Sequence, residues 1–189
     1  RRALAGQEGP LWLVSQDPGA AARAAGRDDI ECFDAPRGGG FAGAAQRALV
    51  EADRRGHETI VLLNDDAHLF AGARRCLAAA AGQPGVAAAG AVLFEEGGRA
   101  IQSCGIRVRA GGGRVVAHRP RTPPTGQPLP VQALPATALA LKVAATLAVG
   151  GFDGDRFPFY FEDVDLCLRL RERGYRLLLV PEARAIHRG

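Results

Sequence analysis

Apolar positions along the chain follow two rhythms, and the change from one to the other marks the elements. Leu11-Trp12-Leu13-Val14-Ser15 is an apolar run between Gly9-Pro10 and Asp17-Pro18-Gly19, which predicts a strand ending in a turn. An Ala-rich piece follows from Ala20 to Ala25, and Ile30 to Phe33 reads as a second strand, broken off by Gly38-Gly39-Gly40. Over 41–55 the apolar residues Phe41, Ala45, Ala48, Leu49 and Ala52 recur at helical spacing and stop at Gly56. Thr59 to Leu63 is continuously apolar, as in a strand covered on both faces, and it ends abruptly in Asn64-Asp65-Asp66. A helix is predicted over 70–81, closed by Gly82 and Pro84, and a strand over 86–94.

Residues 95–132 are rich in Gly and Pro and predict short strands with a long surface loop, the kind of segment that faces a substrate. Small apolar residues return from Ala133 to Val149, and Gly150-Gly151-Phe152-Asp153 is a turn. A helix is predicted over Glu162 to Arg173, with acids in its first turn, Arg169, Arg171 and Arg173 in its last, and Gly174 as its cap. Tyr175 to Val180 is a final strand, and His187 lies beyond it. Strands alternating with helices predict a layered α/β fold with a mostly parallel sheet. Ligands of such sheets bind at the carboxyl ends of the strands, and that rule selects Asn64-Asp65-Asp66.

A length of 189 residues fits one domain, and 47% apolar with 23% charged residues and a mean hydropathy of −0.03 is globular composition. Disorder, collagen and coiled coil are excluded, and no apolar run approaches the roughly 20 residues of a membrane span. The net charge of +4 comes from scattered arginines, with Lys142 the single lysine, and does not suggest a nucleic-acid partner. Cys32, Cys76, Cys104 and Cys167 stand far apart without a C-x-x-C pair, so reduced thiols in a cytoplasmic setting are expected.

Three places could carry chemistry. Adjacent acids at a strand end repel unless a cation or donors offset them, so Asn64-Asp65-Asp66 is either a site for a hard divalent cation or a polar turn before the next helix. Glu162, Asp163 and Asp165 follow the aromatic run Phe159-Tyr160-Phe161. An aromatic wall can raise a carboxylate's pKa toward that of a general base, and acids at a helix start are also favoured by the dipole alone. His187 is either a metal ligand or an ordinary histidine. Gly38-Gly39-Gly40 before a helix could receive a phosphate, although it lacks the spacing of a dinucleotide-binding loop.

Taken in order, these pieces resemble the family 2 glycosyltransferases of the inverting GT-A type, in particular the bacterial rhamnosyltransferase-like branch. Four stretches carry the resemblance: Gly40-Phe41-Ala42-Gly43-Ala44, Val61 to Asp66, Val149 to Asp153, and Tyr160 to Leu166 with Arg169, Gly174, Pro181 and His187. The resemblance implies a three-layer GT-A fold with a mostly parallel central sheet. It also implies an opening strand that this chain does not show, Arg1 to Gln7 resembling the end of the helix that would follow it. Residues 1–94 are then the nucleotide-sugar donor half and 95–189 the acceptor half with the catalytic acids.

The same resemblance implies the roles of single residues. Asn64, Asp65 and Asp66 match the family's DxD-type element, and Gly40 belongs to the donor side. Asp66 and His187 would hold a divalent metal, Mg²⁺ or Mn²⁺. Asp163 matches the catalytic base, with Glu162 as the other candidate, and Phe161 and Arg169 lie on the acceptor side. The implied reaction is metal-assisted transfer of a sugar from a nucleotide-diphosphate sugar to a hydroxyl of a glycan, lipid-linked or small-molecule acceptor, in the cytoplasm or peripherally at the inner membrane face. A degenerate domain that binds a glycan or protein partner without turnover is the alternative. Ser15-Gln16, Gly38, Gln46 and Ala136 depart from the family pattern, all on the donor side or its support.

Overall fold

The computed structural model describes residues 10–17, 19–24, 28–109 and 114–188. Strand β1 (Leu11–Ser15), a short helix α1 (Ala20–Ala24) and strand β2 (Ile30–Asp34) lead into helix α2 (Gly40–Arg54). Strands β3 (Thr59–Leu63) and β4 (Ala67–Leu69) precede helix α3 (Ala73–Ala81) and strand β5 (Val86–Phe94). Four short strands follow: β6 (Ile101–Ser103), β7 (Ile106–Arg109), β8 (Arg114–Ala117) and β9 (Leu129–Pro130). Strand β10 (Ala138–Lys142), helices α4 (Val143–Ala148) and α5 (Glu162–Glu172), and strand β11 (Arg176–His187) complete the order.

The central sheet has the strand order β3-β10-β5-β11-β4. β5 and β11 are paired in parallel, and β3 points the same way, because β10 lies antiparallel between β3 and β5. β4 closes the other edge antiparallel to β11. The sheet is therefore mixed, with its longest strands parallel. β1 and β2 pair in parallel with each other as a separate ribbon. Arg55 ties that ribbon to α2, with 2.6 Å contacts to both Glu31 and Glu51 and its guanidinium over Trp12 and Phe33.

Burial explains the sheet's composition. Every residue of β5, VAAAGAVLF, is buried, as a strand with covered faces requires. On β10 the alternation divides the core by size. Leu139 and Leu141 pack with Ala42, Ala45, Leu166 and Leu170 under α2 and α5, while Ala138 and Ala140 pack with Leu77, Ala80 and Val180 under α3. The result is three layers, with α2, α4 and α5 on one face and α3 on the other. Among the described residues no helix is long and apolar enough to cross a membrane. Cys104 and Cys167 are buried, Cys32 and Cys76 half-buried, and all four are free thiols.

Two elements differ from the sequence expectation. The segment 70–81 is helical only from Ala73, because Ala67–Leu69 is taken up as strand β4. The last strand does not stop at Val180. It continues through Pro181 to His187, with a register shift against β5 between Val180 and Arg184 that accommodates a residue lacking a ladder donor.

The N-terminus of α2 is fixed by a close approach. Gly40 has φ +57°, and a Cβ there would run into the Pro158 carbonyl oxygen and come within 2.8 Å of Cε2 of Phe159. The Gly40→Ala variant is therefore expected to lose on the order of 1–3 kcal/mol from the positive φ alone. Gly43→Ala, three residues on with no heavy atom nearer than 3.9 Å, should gain up to about 1 kcal/mol from helix propensity. Denaturant midpoints of the two variants measure this, and a Gly40→Ala midpoint equal to that of the unmodified chain would show that the approach is not constraining.

Candidate active site

β3 ends at Leu63, and the chain turns at once. The Asn64 N–H donates to the Thr137 carbonyl at 3.0 Å, and the Asn64 carbonyl accepts from Ala67 N–H at 3.1 Å. This turn presents Asp65 to solvent and leaves Asp66 half-buried. Strand β4 begins at the next residue and pairs with the far end of β11, in the register His187 opposite Ala67. The pairing brings together two residues 121 positions apart: Nε2 of His187 lies 3.2 Å from Oδ1 of Asp66. Nδ1 of His187 is 2.9 Å from Oε1 of Gln102 on β6. With the Nδ1 proton donated to Gln102, the Nε2 lone pair faces the Asp66 carboxylate.

Two lone-pair atoms held at this distance repel unless a proton or a cation lies between them. Cis ligands of an octahedral Mg²⁺-type ion, each about 2.1 Å from the metal, are themselves about 3 Å apart. The 3.2 Å spacing of Asp66 and His187 is that of two neighbouring ligands of one divalent cation, and Gln102 would orient the imidazole. Among the described residues no cluster of three or more His, Cys, Asp or Glu side chains is gathered. Two protein ligands leave the other positions to water and phosphate oxygens, as is usual for Mg²⁺ beside a nucleotide. In the same turn, Oδ1 of Asn64 is buried without a hydrogen-bond partner.

The second acidic cluster opens α5. Asp163 is held through both carboxylate oxygens: Oδ2 accepts Ala136 N–H at 3.1 Å, and Oδ1 accepts Val164 N–H at 2.7 Å. Burial raises its pKa, and the backbone donors offset part of that rise. Glu162 is more fully enclosed, 7% exposed, with Oε2 buried and unpartnered. Burial pushes its pKa up to about 7, and the charge of Asp163 adds to the rise.

The two clusters are joined through two consecutive residues. Ala136 donates to Asp163, and Thr137, its neighbour, accepts from Asn64. The entry to β10 thus ties the end of β3 to the start of α5. The sequence marks Ala136 only as a departure from the family pattern and gives no sign of Thr137 or Gln102, since neither pairing has a local signature.

Before α5 the backbone is strained. Tyr160 and Phe161 have φ +63° and +68°, the only non-glycine residues at positive φ among those described. Such conformations cost on the order of 1–3 kcal/mol each and persist at sites where they serve a purpose. Here they hold Phe159, Tyr160 and Phe161 outward, 63%, 82% and 54% exposed, immediately beside the acids.

Arg169 and Gly40, both expected at a substrate, are engaged otherwise. Arg169 donates to Asp165 and to the carbonyls of Val149 and Gly151, so its guanidinium clamps the Gly150-Gly151 turn. Gln46 holds the same turn by accepting Phe152 N–H at 2.8 Å. Gly40 is covered by Pro158 and Phe159, as described above. A cavity of about 660 Å³ lies beside this turn, lined by Gln46, Arg47, Asp153, Arg156 and Arg169 among others, and neither acidic cluster lines it.

No protein-family model matches the chain. An uncharacterised protein of Sinorhizobium fredii, y4gI, is 32% identical over 146 residues, which is 72% of this chain and 16% of that protein. GalNAc-T7, solved with UDP, GalNAc and Mn²⁺, superposes with a TM-score of 0.70 at 13% identity, over 95% of this chain and 38% of its own. The mannosyltransferase PcManGT from Pyrobaculum calidifontis, solved with GDP-Man and Mn²⁺, superposes with a TM-score of 0.59 at 20% identity, over 94% of this chain and 47% of its own. The chain thus spans less than half the length of either structure, and a smaller part still of the Sinorhizobium relative. At these identities the likeness establishes architecture, and the architecture is the GT-A glycosyltransferase fold.

Proposed function

We propose that the chain is the catalytic domain of an inverting glycosyltransferase that uses a nucleotide-diphosphate sugar and a divalent cation. The observation that carries this reading is the pairing of Asp66 with His187 on one side of the Ala136–Thr137 peptide and Asp163 on the other. The structural neighbours support it, since the two described above were solved with Mn²⁺ and with UDP or GDP-Man. Residues 1–94 supply most of the donor side, with Asn64, Asp65 and Asp66 toward the diphosphate and Gly40 shaping the wall behind it. Residues 95–189 supply the acceptor side and, through His187, complete the metal pair.

In this reading Asp163 is the base. It is partly open to solvent, and two N–H donors fix its carboxylate while leaving a lone pair for the acceptor hydroxyl. The acceptor oxygen attacks the anomeric carbon as the bond to the diphosphate breaks, Asp163 takes the hydroxyl proton, and the configuration inverts. A divalent cation, when bound, neutralises the charge of the departing diphosphate. Glu162 is half-protonated near neutrality and is therefore poorly suited to take a proton itself. Its role is to limit the charge beside Asp163. Phe161, with Tyr160, offers an aromatic face to an acceptor ring.

Three measurements test the reading. Calorimetric titration of UDP, dTDP and GDP, with and without Mn²⁺, should show metal-dependent binding of one nucleotide. Asp66→Ala should abolish the metal dependence, and Gln102→Ala should weaken it by about 10–100-fold. Binding of no nucleotide in any condition would favour a non-catalytic module. With an active acceptor, Asp163→Asn should lower kcat by about 10²-fold or more with donor affinity retained, and Glu162→Gln should lower it less. The reverse order would move the base to Glu162.

The buried glutamate also predicts a pH dependence of stability. The unfolded chain holds Glu162 near 4.5 and the folded chain near 7, so between those values the folded state binds the extra proton. Stability then falls as pH rises from about 4.5 to 7. Asp163 adds to the fall. Glu51, held down to about 2 by hydrogen bonds from Arg54 and Arg55, acts with the opposite sign and only below 4.5. Glu162→Gln should flatten the fall above 4.5, as read from denaturant midpoints across that range.

A further inference from the structure

Charge is divided unevenly along the chain. Residues 97–152 contain six arginines and Lys142, and no Asp or Glu. Three of the arginines meet on the β7–β8 hairpin. Arg109 lies directly opposite Arg114 in the antiparallel register, and Arg107 lies opposite Val116. All four side chains are on the exposed face, and with Ala117 and His118 they line a groove of about 260 Å³. Like charges directly across a strand pair are destabilising. No carboxylate relieves them: Arg107, Arg109 and Arg114 make no ion pair among the described residues, whereas nearby Arg119 reaches Glu95 at 3.8 Å.

The hairpin is rooted in both halves of the candidate site. Ile106 is bridged to Ala133, three residues before the Ala136 that holds Asp163. The His118 carbonyl accepts from Cys104 N–H at 2.7 Å, two residues after the Gln102 that orients His187. Arginines two apart on a strand are about 7 Å apart, and a cross-strand pair about 5 Å. Long guanidinium side chains on that small triangle can converge on one compact dianion, each with the paired donors that phosphate oxygens accept.

We propose that the outer face of the β7–β8 hairpin is a phosphate-binding site, built by Arg107, Arg109 and Arg114, for a phosphate or diphosphate ester. Resting on the transferase reading, the phosphate belongs to a phosphorylated acceptor, which the hairpin holds while its hydroxyl lies at Asp163. The concave groove and the tight grouping of three cations favour a single phosphoryl group over an extended anionic surface.

The test uses inorganic pyrophosphate as the probe, titrated calorimetrically in EDTA so that the Asp66–His187 pair takes no part. The unmodified chain should bind, and Asp66→Ala should bind equally. The triple variant R107Q/R109Q/R114Q should lose at least ~10-fold in affinity, and R109Q alone a smaller share, both with unchanged denaturant midpoints. Absence of metal-free binding, or equal affinity in the triple variant, overturns the proposal. So does Arg-dependent capture by phosphatidylcholine–phosphatidylglycerol vesicles without pyrophosphate binding, which would make the hairpin a membrane contact. Because the arms run without metal, they can succeed or fail independently of the nucleotide titrations.

Discussion

The insertion of β10 between β3 and β5 is the constraint on which the candidate site depends. It is an antiparallel strand among parallel ones, and its first residues must therefore come to the carboxyl end of β3. That geometry delivers the Ala136–Thr137 peptide to the place where the chain leaves β3 at Asn64, and where α5 begins at Glu162. The N–H of Ala136 and the carbonyl of Thr137 then set the relative positions of two acidic clusters about one hundred residues apart. The strand can sit there because it presents leucines to one helical layer and alanines to the other. A larger residue at 138 or 140 would press α3 away from the sheet and move the peptide with it.

Much of this was legible in the sequence where local physics decides the outcome. The continuous apolar runs at Thr59–Leu63 and Val86–Phe94 are strands with the predicted bounds, and the helical periodicity of 41–55 is α2. What escaped was decided by pairing at long range. Ala67-His68-Leu69 is too short to announce a strand, and Pro181 reads as a stop. Yet the bulge at Pro181 allows β11 to continue, and β4 exists because the continued strand is there to pair with it. The same pairing sets Asp66 beside His187. The two residues were legible as candidates through the family resemblance, whereas their register, and the part of Gln102, were not. Arg169 and Gln46 show what the sequence could not: their hydrogen-bond partners. Arg169 belongs to the resembled motif and Gln46 departs from it, and the structure engages both in holding the Gly150-Gly151 turn.

Several departures from low energy lie at the site, although the buried, unpartnered Trp12 Nε1 lies away from it on the β1–β2 ribbon. Glu162 buries a carboxyl oxygen without a partner, Asn64 does the same with an amide oxygen, and Tyr160 and Phe161 occupy left-handed backbone. Each is destabilising by itself, and natural sequences confine such conflicts to places where selection acts on something other than stability. Their grouping at one end of the sheet, where α/β folds bind ligands, is thus informative in a way that no single residue is. The large cavity beside Gln46 and Arg169 lacks these features. Two of its polar residues, Gln46 and Arg169, are hydrogen-bonded to the Gly150-Gly151 turn.

Electrostatics separates the two sides of this site more sharply than composition suggests. The net charge of +4 conceals an acid-free stretch from 97 to 152, flanked by Glu95 and Glu96 before and Asp153 and Asp155 after. Helix α5 opens with three acids, and the hairpin that rises from the neighbouring backbone carries three arginines. Elsewhere the chain pairs its opposite charges, as Glu51 with Arg54 and Arg55 shows. Here Asp163 is fixed by backbone N–H donors and Asp165 by Arg169 on its own helix, while the hairpin arginines stay on the exposed face of a two-stranded ribbon. Separated charge of this kind raises the free energy of the unliganded protein and lowers it when a ligand brings the counter-charge. That is the electrostatic profile the proposed phosphorylated acceptor would complete, its anionic end at the arginines and its hydroxyl at Asp163.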